Sequence, residues 1–242
     1  MSTMSSASSP RPATVVPLQK RERWTKSGPV VSHLDETEIS NLEERAIATI
    51  GDPSTLGLWG FATGTWMAGT IIGGAFPHSS ITAVVPVLIV FAGIVQFIAG
   101  LFAYRRANVL AATAFCAFGA FNVTEGFFLA LQSANTVAAI GAPLILNGFL
   151  FESFAFIAAA LALAAARTNV AMVCVLGTLA VGYCLSGIPD LIGSANAGGF
   201  GIVGNIGGWF LVASAACAYY TGAAFVINSA WNRTALPIGG EP

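Results

Sequence analysis

Residues 81–104 read ITAVVPVLIVFAGIVQFIAGLFAY, and two arginines, Arg105 and Arg106, follow immediately. A hydrophobic stretch of about 20 residues is long enough to cross the hydrocarbon core of a bilayer as a helix. This stretch contains no Lys, Arg, Asp or Glu. A basic pair directly after such a stretch is typical of a cytoplasmic loop. The segment therefore predicts a transmembrane helix and indicates which of its ends faces the cytoplasm.

Five other apolar runs lie along the chain. They occupy roughly residues 56–76, 109–131, 143–166, 170–186 and 201–227. Each is close to the length that one crossing requires. The chain is 55% hydrophobic and only 9% charged, against about 25% charged residues in ordinary soluble domains. The sequence therefore predicts an all-α membrane protein, built as a bundle of six transmembrane helices.

The basic residues between the runs are confined to alternate connections. Arg105 and Arg106 lie between the second and third runs, and Arg167 lies between the fourth and fifth. The first, third and fifth connections contain no Lys or Arg, at residues 77–80, 132–142 and 187–200. Because cytoplasmic loops carry the basic excess, we expect a multi-pass protein of the cell membrane, plasma or inner. Both termini are expected in the cytoplasm.

The runs divide the chain into a tail, a membrane domain and a short end segment. Residues 1–50 hold most of the charge and predict a polar, mostly disordered cytoplasmic tail. Apolar residues at helical spacing predict a short amphipathic helix within it, at about residues 35–50. Residues 51–231 form the predicted six-helix transport domain. Residues 232–242 are expected to be a cytoplasmic C-terminal tail.

Composition and motifs argue against several classes of function. The formal net charge is −1 and the basic residues are spread over loop ends, so nucleic acid is not an expected partner. The four cysteines lie inside apolar runs without C-x-x-C spacing, which indicates buried thiols rather than a metal site. The chain offers no set of nucleophile and base and no phosphate-binding loop motif. We expect neither an enzyme nor a bound cofactor or metal.

Two carboxyl groups stand inside the apolar runs, those of Glu125 and Glu152. Ionisable residues at membrane depth are costly and mark solute pathways or proton relays. Glu125 follows Phe118 and Asn122 at helical spacing, so aromatic bulk and polar groups share one helix face. Such a face suits a pathway that is partly wet and partly closed by rings, although Glu125 is also near enough to the outer end of its span to reach water. Glu152 lies among small residues, which favours a hydrogen bond to a neighbouring helix.

Other residues within the spans restrict the solute. Gln96 is the strongly polar side chain of the second run, and we expect it to face the interior, because an unpaired amide in hydrocarbon is costly. In the first run, Thr65 lies one turn beyond Phe61 on the same face. No run contains Lys or Arg, so the solute must be small and either neutral or singly negative. Close helix contacts are predicted by small residues four apart, at Gly60/Gly64, Gly69/Gly73 and Gly204/Gly208.

Three motifs lie in order along residues 51–240. The first is the helix start DPSTLGL at residues 52–58, in which the signature positions are Asp52, Pro53, Leu56, Gly57 and Leu58. The second is GIVQFIAG at residues 93–100, with the Arg pair and the aromatic run to Phe121 behind it. The third runs from Gly208 to LPIG at residues 236–239. Together they resemble the acetate uptake transporter family, the succinate–acetate/proton symporter group.

The resemblance implies six spans per subunit, a homohexameric ring and one solute pathway through each subunit. It also implies that Phe61, Phe118 and Leu179 narrow this pathway as an apolar constriction. Asp52, Phe118 and Asn122 depart from the family pattern, which has Asn, Tyr and Trp at these positions. A negatively charged helix start and a lost phenol hydroxyl both weaken the binding of a carboxylate.

Three functions remain open at this point. The leading hypothesis is a transporter or channel for small monocarboxylates such as acetate, with proton coupling through Glu125 or Glu152. Thr65, Gln96 and the N–H groups near residues 53–57 would contact the solute, and the apolar ring would exclude water. The second hypothesis is a conduit for ammonia or another small neutral solute. The third is a membrane sensor or assembly protein without transport. Expected partners are the small carboxylate, the lipid bilayer and other copies of the chain.

Overall fold

The computed structural model describes residues 24–25, 28–29, 40–42, 50–136, 142–193 and 200–240. The chain divides into two compact units, Met1–Ala48 and Thr49–Pro242. In the first unit, strand β1 (Trp24–Thr25) pairs antiparallel with β2 (Gly28–Pro29). Residues 40–42 are helical and exposed. The rest of the amphipathic helix expected at about 35–50 lies outside the described residues, apart from Ile50.

Long helices dominate the second unit. Their bounds within the described residues are α1 Ser54–Ile72, α2 Val85–Arg105, α3 Val109–Ser133, α4 Ala142–Ala165, α5 Val170–Leu191 and α6 Gly201–Trp231. A short 3₁₀ helix, His78–Ala83, precedes α2. Within α2, residues Val90–Val95 form a π-helical segment. Such segments widen and bend an α-helix.

Five of these helices, α2 to α6, are long and apolar enough to cross a membrane. The chain is therefore a multi-pass membrane protein with an all-helical membrane unit. Helix α1 forms where the first crossing was expected and is 19 residues long. Whether it is a sixth crossing stays a prediction.

The end of α5 differs from the expectation. The fifth apolar run was expected to stop at residue 186, with a connection at 187–200, but α5 continues to Leu191. Hydropathy falls at Pro189 and Asp190, whereas helical hydrogen bonding continues, since Ile192 N donates to Ile188 O at 3.1 Å. As a result, Asp190 lies in the last turn of a membrane helix and is 2% exposed.

Glycine-mediated contacts bring the helices of this unit close together. A Cβ on Gly69 of α1 would lie 2.9 Å from Gly208 O of α6, and one on Gly208 would lie 2.7 Å from Gly73 Cα. On α1, a Cβ on Gly60 would lie 2.8 Å from Phe91 O of the π-helical segment. Since apolar side chains alone give helices little reason to associate in lipid, such backbone contacts stabilise the bundle.

The segment after α6 folds back onto the start of α5. The Asn228 side chain donates to Leu236 O at 2.8 Å and accepts from Leu236 N at 2.9 Å. Ala171 N donates to Ile238 O at 3.0 Å, and Val170 N donates to Gly239 O. Two N–H groups in the first turn of α5, which have no partner within their own helix, are satisfied in this way.

Candidate functional site

A cavity lies inside the bundle, lined by residues of all six helices together with His78, Ile81 and Phe200. The volume of the cavity is about 100 Å³, several times what one water molecule needs. Most of its wall is apolar. Its polar side chains are Thr65, His78, Asn122, Glu125, Gln132, Asn147, Tyr183 and Asp190. We call it the acidic cavity, because Glu125 and Asp190 carry its formal charges and none of the described lining residues is Lys or Arg.

A second cavity lies near the opposite ends of α1, α3 and α5. Its volume is about 90 Å³. Its lining residues include Leu58, Asn108, Phe115 and Met172. Asn108 follows the Arg105–Arg106 connection, and Thr168, also in the lining, follows Arg167. We call it the basic-side cavity.

Along their helices, Phe61, Phe118 and Leu179 lie between residues that line the acidic cavity and residues that line the basic-side cavity. They are 3%, 2% and 0% exposed, and the rings of Phe61 and Phe118 are 6.1 Å apart between centroids. The same order recurs at helical spacing on each of three helices. A residue that lines the basic-side cavity comes first, one of these three residues follows it, and a residue that lines the acidic cavity comes last. The triplets are Leu58–Phe61–Thr65, Phe115–Phe118–Asn122 and Met172–Leu179–Tyr183.

Further aromatic rings surround Phe118. Its ring centroid lies 5.8 Å from that of Phe154 and 6.2 Å from that of Tyr183. Phe121, one turn further along α3, lies 4.9 Å from Tyr183. Tyr183 was not predicted as a site residue. The signal that could have found it is its position four residues after Leu179, on the same helix face.

Gln96 and Asn122 form a buried polar contact between α2 and α3. Gln96 is 1% exposed, and its Oε1 accepts from Asn122 Nδ2 at 3.3 Å. Asn122 Nδ2 also donates to Ala92 O in the π-helical segment at 3.0 Å. Asn122 lines the acidic cavity, whereas Gln96 stands behind it. Thr65 lines the same cavity and is 4% exposed.

Glu125 does not extend to the surface of the protein. It is 6% exposed and lines the acidic cavity. Asp190 stands near it, and the side-chain amide of Asn147 interacts with both carboxyl groups. Asn147 Nδ2 donates to Asp190 Oδ2 at 3.4 Å. Neither Asp190 nor Asn147 was predicted, because Asp190 was expected in a connection and contacts between helices cannot be read from a single sequence.

Glu152 stands apart from the acidic cavity. It lies on α4 facing α5, where its carboxyl group interacts with Cys184. Its Oε1 would lie 3.0 Å from a Cβ at Gly187. This position is a helix contact, and Glu152 does not line either of the two cavities.

The signature residues 52–58 begin α1 beside the basic-side cavity. Asp52 Oδ1 accepts from Ser54 N at 2.9 Å, and Gly57 N donates to Pro53 O at 3.0 Å. Leu58 is buried, whereas Leu56 is 45% exposed. A Cβ on Gly57 would lie 2.7 Å from the Phe115 ring, so glycine permits α1 and α3 to approach there. Because the Asp52 carboxylate already accepts the hydrogen bond of Ser54 N, this helix start is poorly suited to bind an anion.

His78 and Phe200 separate the acidic cavity from a vestibule near Gly74 and Asn205. Both residues line the cavity and the vestibule, and their rings meet edge to face with centroids 5.1 Å apart. Burial lowers the pKa of His78 from its ordinary value, because desolvation disfavours the charged imidazolium. The imidazole is therefore neutral at pH 7, and its Nδ1 has no partner among the described residues.

The order of motifs and the helical fold match known proteins. A model of the GPR1/FUN34/yaaH family matches residues 36–238. The chain belongs to this family. It is 30% identical over 195 residues to the succinate-acetate/proton symporter SatP of Escherichia coli strain K12, an alignment that covers 78% of this chain and 96% of SatP. The predicted resemblance is thereby confirmed.

Two other comparisons agree with this family membership. An uncharacterized protein of Methanothermobacter thermautotrophicus is 26% identical over 213 residues, which cover 86% of this chain and 98% of that protein. The solved structure of the bacterial acetate channel SatP matches with a TM-score of 0.70 at 26% identity. The match covers 79% of this chain and 100% of that chain. The family fold therefore extends over most of the chain.

Proposed function

We propose that the protein conducts small monocarboxylates, acetate first among them, across a cell membrane through a pathway inside each subunit. The observation that carries the proposal is the pair of cavities separated by Phe61, Phe118 and Leu179. Relatives named as an acetate channel and as a succinate-acetate/proton symporter support acetate as the first solute to test.

In this proposal the pathway begins at the vestibule beside His78 and Phe200. The solute then enters the acidic cavity, where the Thr65 hydroxyl and the Oδ1 atom of Asn122 are available to its carboxyl group, since the Asn122 amide nitrogen already donates to Ala92 O and Gln96 Oε1. Gln96 holds Asn122 in place from behind, through the hydrogen bond between their amides. The solute leaves through the basic-side cavity.

Phe61, Phe118 and Leu179 form the constriction of this pathway. The three side chains are apolar and almost fully buried, so they offer an ionised carboxylate no substitute for its water shell. Removing that shell without compensation costs far more than moving a neutral group. The constriction therefore favours a small solute in its neutral, protonated form. Glu125 lies on the α3 face that carries Phe118 and lines the cavity before the constriction, so it can supply the proton. We assign Glu152 a packing role.

The membrane arrangement follows from helix lengths and charges. Helix α1 has 19 residues, which at about 1.5 Å per residue gives close to 30 Å, the thickness of a hydrocarbon core. We propose it as the sixth crossing, which places both termini on one side. Arg105, Arg106 and Arg167 put that side in the cytoplasm. We further propose a homohexameric ring in the cell membrane, in which exposed apolar side chains such as Ile202 and Trp209 meet other copies.

A neutral solute such as ammonia is the second candidate. The observation that favours it is the wall of the acidic cavity, where both formally charged residues are carboxylic acids. An anion that enters this cavity meets repulsion, whereas a small neutral molecule does not.

The experiment that tests the proposal is flux into liposomes containing the purified protein. Uptake of radiolabelled acetate is compared with uptake of ammonium and urea, each with and without an imposed inward proton gradient. We expect acetate uptake above that of empty liposomes, and faster uptake when the proton gradient is present. Uptake of ammonium without any uptake of acetate would replace the first candidate by the second.

A further inference from the structure

We propose that Glu125, Asp190 and Asn147 form one site that holds a single shared proton, and that this site protonates the solute before it reaches the constriction. The inference rests on the proposed function and deepens it. It assigns a role to Asp190, which lies in the last turn of α5, and it makes the two carboxylic acids one binding site instead of two independent relays.

The geometry of the three side chains supports a shared site. Glu125 from α3 and Asp190 from α5 line the same cavity and are 6% and 2% exposed. Asn147 from α4 lies between them, donating to Asp190 Oδ2 at 3.4 Å and interacting with Glu125 as well. One amide therefore bridges the two carboxyl groups.

Each carboxyl group also has an oxygen without a partner. Glu125 Oε1 and Asp190 Oδ1 are both buried and have no hydrogen-bond partner among the described residues. An unsatisfied buried oxygen is costly, and a proton between the groups, or the O–H of a bound carboxylic acid, would satisfy it. These two oxygens therefore point to a ligand that carries an acidic hydrogen.

Charge in the surroundings favours one proton over none. Two neighbouring buried carboxylates repel each other, so such a pair retains one proton and titrates as a unit. The other ionisable groups that line the cavity are Tyr183 from α5 and His78 from the 3₁₀ helix. The described lining residues of α1, α2 and α6 are not ionisable. None of the described lining residues is a Lys or Arg that could stabilise two negative charges.

One proton passes from the carboxyl pair to the solute. The pair begins with one proton and one negative charge, and a monocarboxylate anion enters from the vestibule. The O–H bond of the protonated side chain breaks, and the proton forms an O–H bond with the carboxylate oxygen of the solute. A proton from the vestibule side replaces it on the pair in the same step, so the pair keeps one proton and one negative charge while the solute becomes neutral. The neutral acid crosses between Phe61 and Phe118 and releases its proton to water in the basic-side cavity.

Three variants and a control test this inference in liposomes. Glu125→Gln and Asp190→Asn keep shape and hydrogen bonding but cannot titrate, and the third variant combines them. We expect each single variant to pass acetate more slowly than the parent down its own gradient. The acceleration that an inward proton gradient gives should be at least tenfold smaller in each single variant than in the parent. The double variant should lose no more than either single variant, because one shared site is already lost. Glu152→Gln, at a carboxyl outside the cavity, is the matched control and should behave like the parent.

Two results would overturn the inference. One is full acceleration in Asp190→Asn, and the other is a partial loss in each single variant that adds up in the double variant, as two independent sites require. A measurement without transport separates this failure from failure of the proposed function. In an infrared pH titration of the purified parent protein, the carbonyl stretch of one protonated carboxyl group should vanish as pH rises. Either substitution, Glu125→Gln or Asp190→Asn, should alter this signal. If acetate flux is absent but this signature is present, the proposed function fails and the shared-proton site stands.

Discussion

Replacing Gly208 by Ala should push α1 and α6 apart and destabilise the bundle. A Cβ at this position would lie 2.7 Å from Gly73 Cα and from Ile72 C, whereas ordinary contacts of this kind begin at 3.4 Å. Gly73 N would lie closer still, and all of these atoms belong to the backbone and cannot rotate aside, so the two helices must separate locally by more than roughly 0.7 Å. Overpacking of this kind costs about 1–3 kcal/mol. We expect a loss of that size in the free energy of unfolding measured in denaturing detergent.

The chain provides a matched control for this experiment. Gly177 lies inside α5, and a Cβ there would meet nothing within 4 Å. Gly177→Ala should therefore stabilise the protein by about 0.5–1 kcal/mol, since glycine inside a helix is unfavourable relative to alanine. Equal effects of the two substitutions, or a stable Gly208→Ala variant, would refute the claim that this contact fixes the distance between α1 and α6.

Other predictions concern the pathway and the topology. The double variant Phe61→Ala/Phe118→Ala should raise passive flux and relax size selection between acetate and propionate. Because each substitution costs about 3–5 kcal/mol of stability, folding of the variant is checked by size-exclusion chromatography. Unchanged size selection in a folded variant would place the constriction elsewhere. Asn122→Leu should cost about 1–3 kcal/mol in the free energy of unfolding, because it leaves the amide of Gln96 without its donor, and a stable variant would contradict this. In a background without native cysteines, a thiol reagent applied to intact cells should label Ser79→Cys but not Ser5→Cys, and the reverse pattern would invert the topology.

The sequence predicts the membrane helices well, because each crossing leaves a long apolar run. Residues 81–104 and the basic pair behind them predict α2, which the structure ends at Arg105. The end of α5 shows where this reasoning fails. Pro189 and Asp190 interrupt the apolar sequence, but backbone hydrogen bonding does not depend on hydropathy. The helix therefore continues to Leu191.

The candidate site is only partly predictable from the sequence, for a related reason. Helical spacing on one helix places Asn122 and Glu125 on the face of Phe118, and the structure buries that face. The family resemblance, not spacing, singled out Leu179. Asp190 lies eleven residues after Leu179, again on the same helix face, but the expected loop concealed it. Asn147 is recognisable only from its contact with α5, which no pattern within α4 reveals.

The central claim, that solute passes through the acidic cavity of each subunit, is tested most directly by blocking that cavity. Thr65 lines it, whereas the next residue, Trp66, is 41% exposed on the outside of the chain. Thr65→Cys and Trp66→Cys are made separately in a background without native cysteines, reconstituted in liposomes and treated with a small methanethiosulfonate reagent. Modification at position 65 should abolish acetate flux, and treatment of the position 66 variant should leave it unchanged. Undiminished flux after confirmed modification at position 65 would contradict the account.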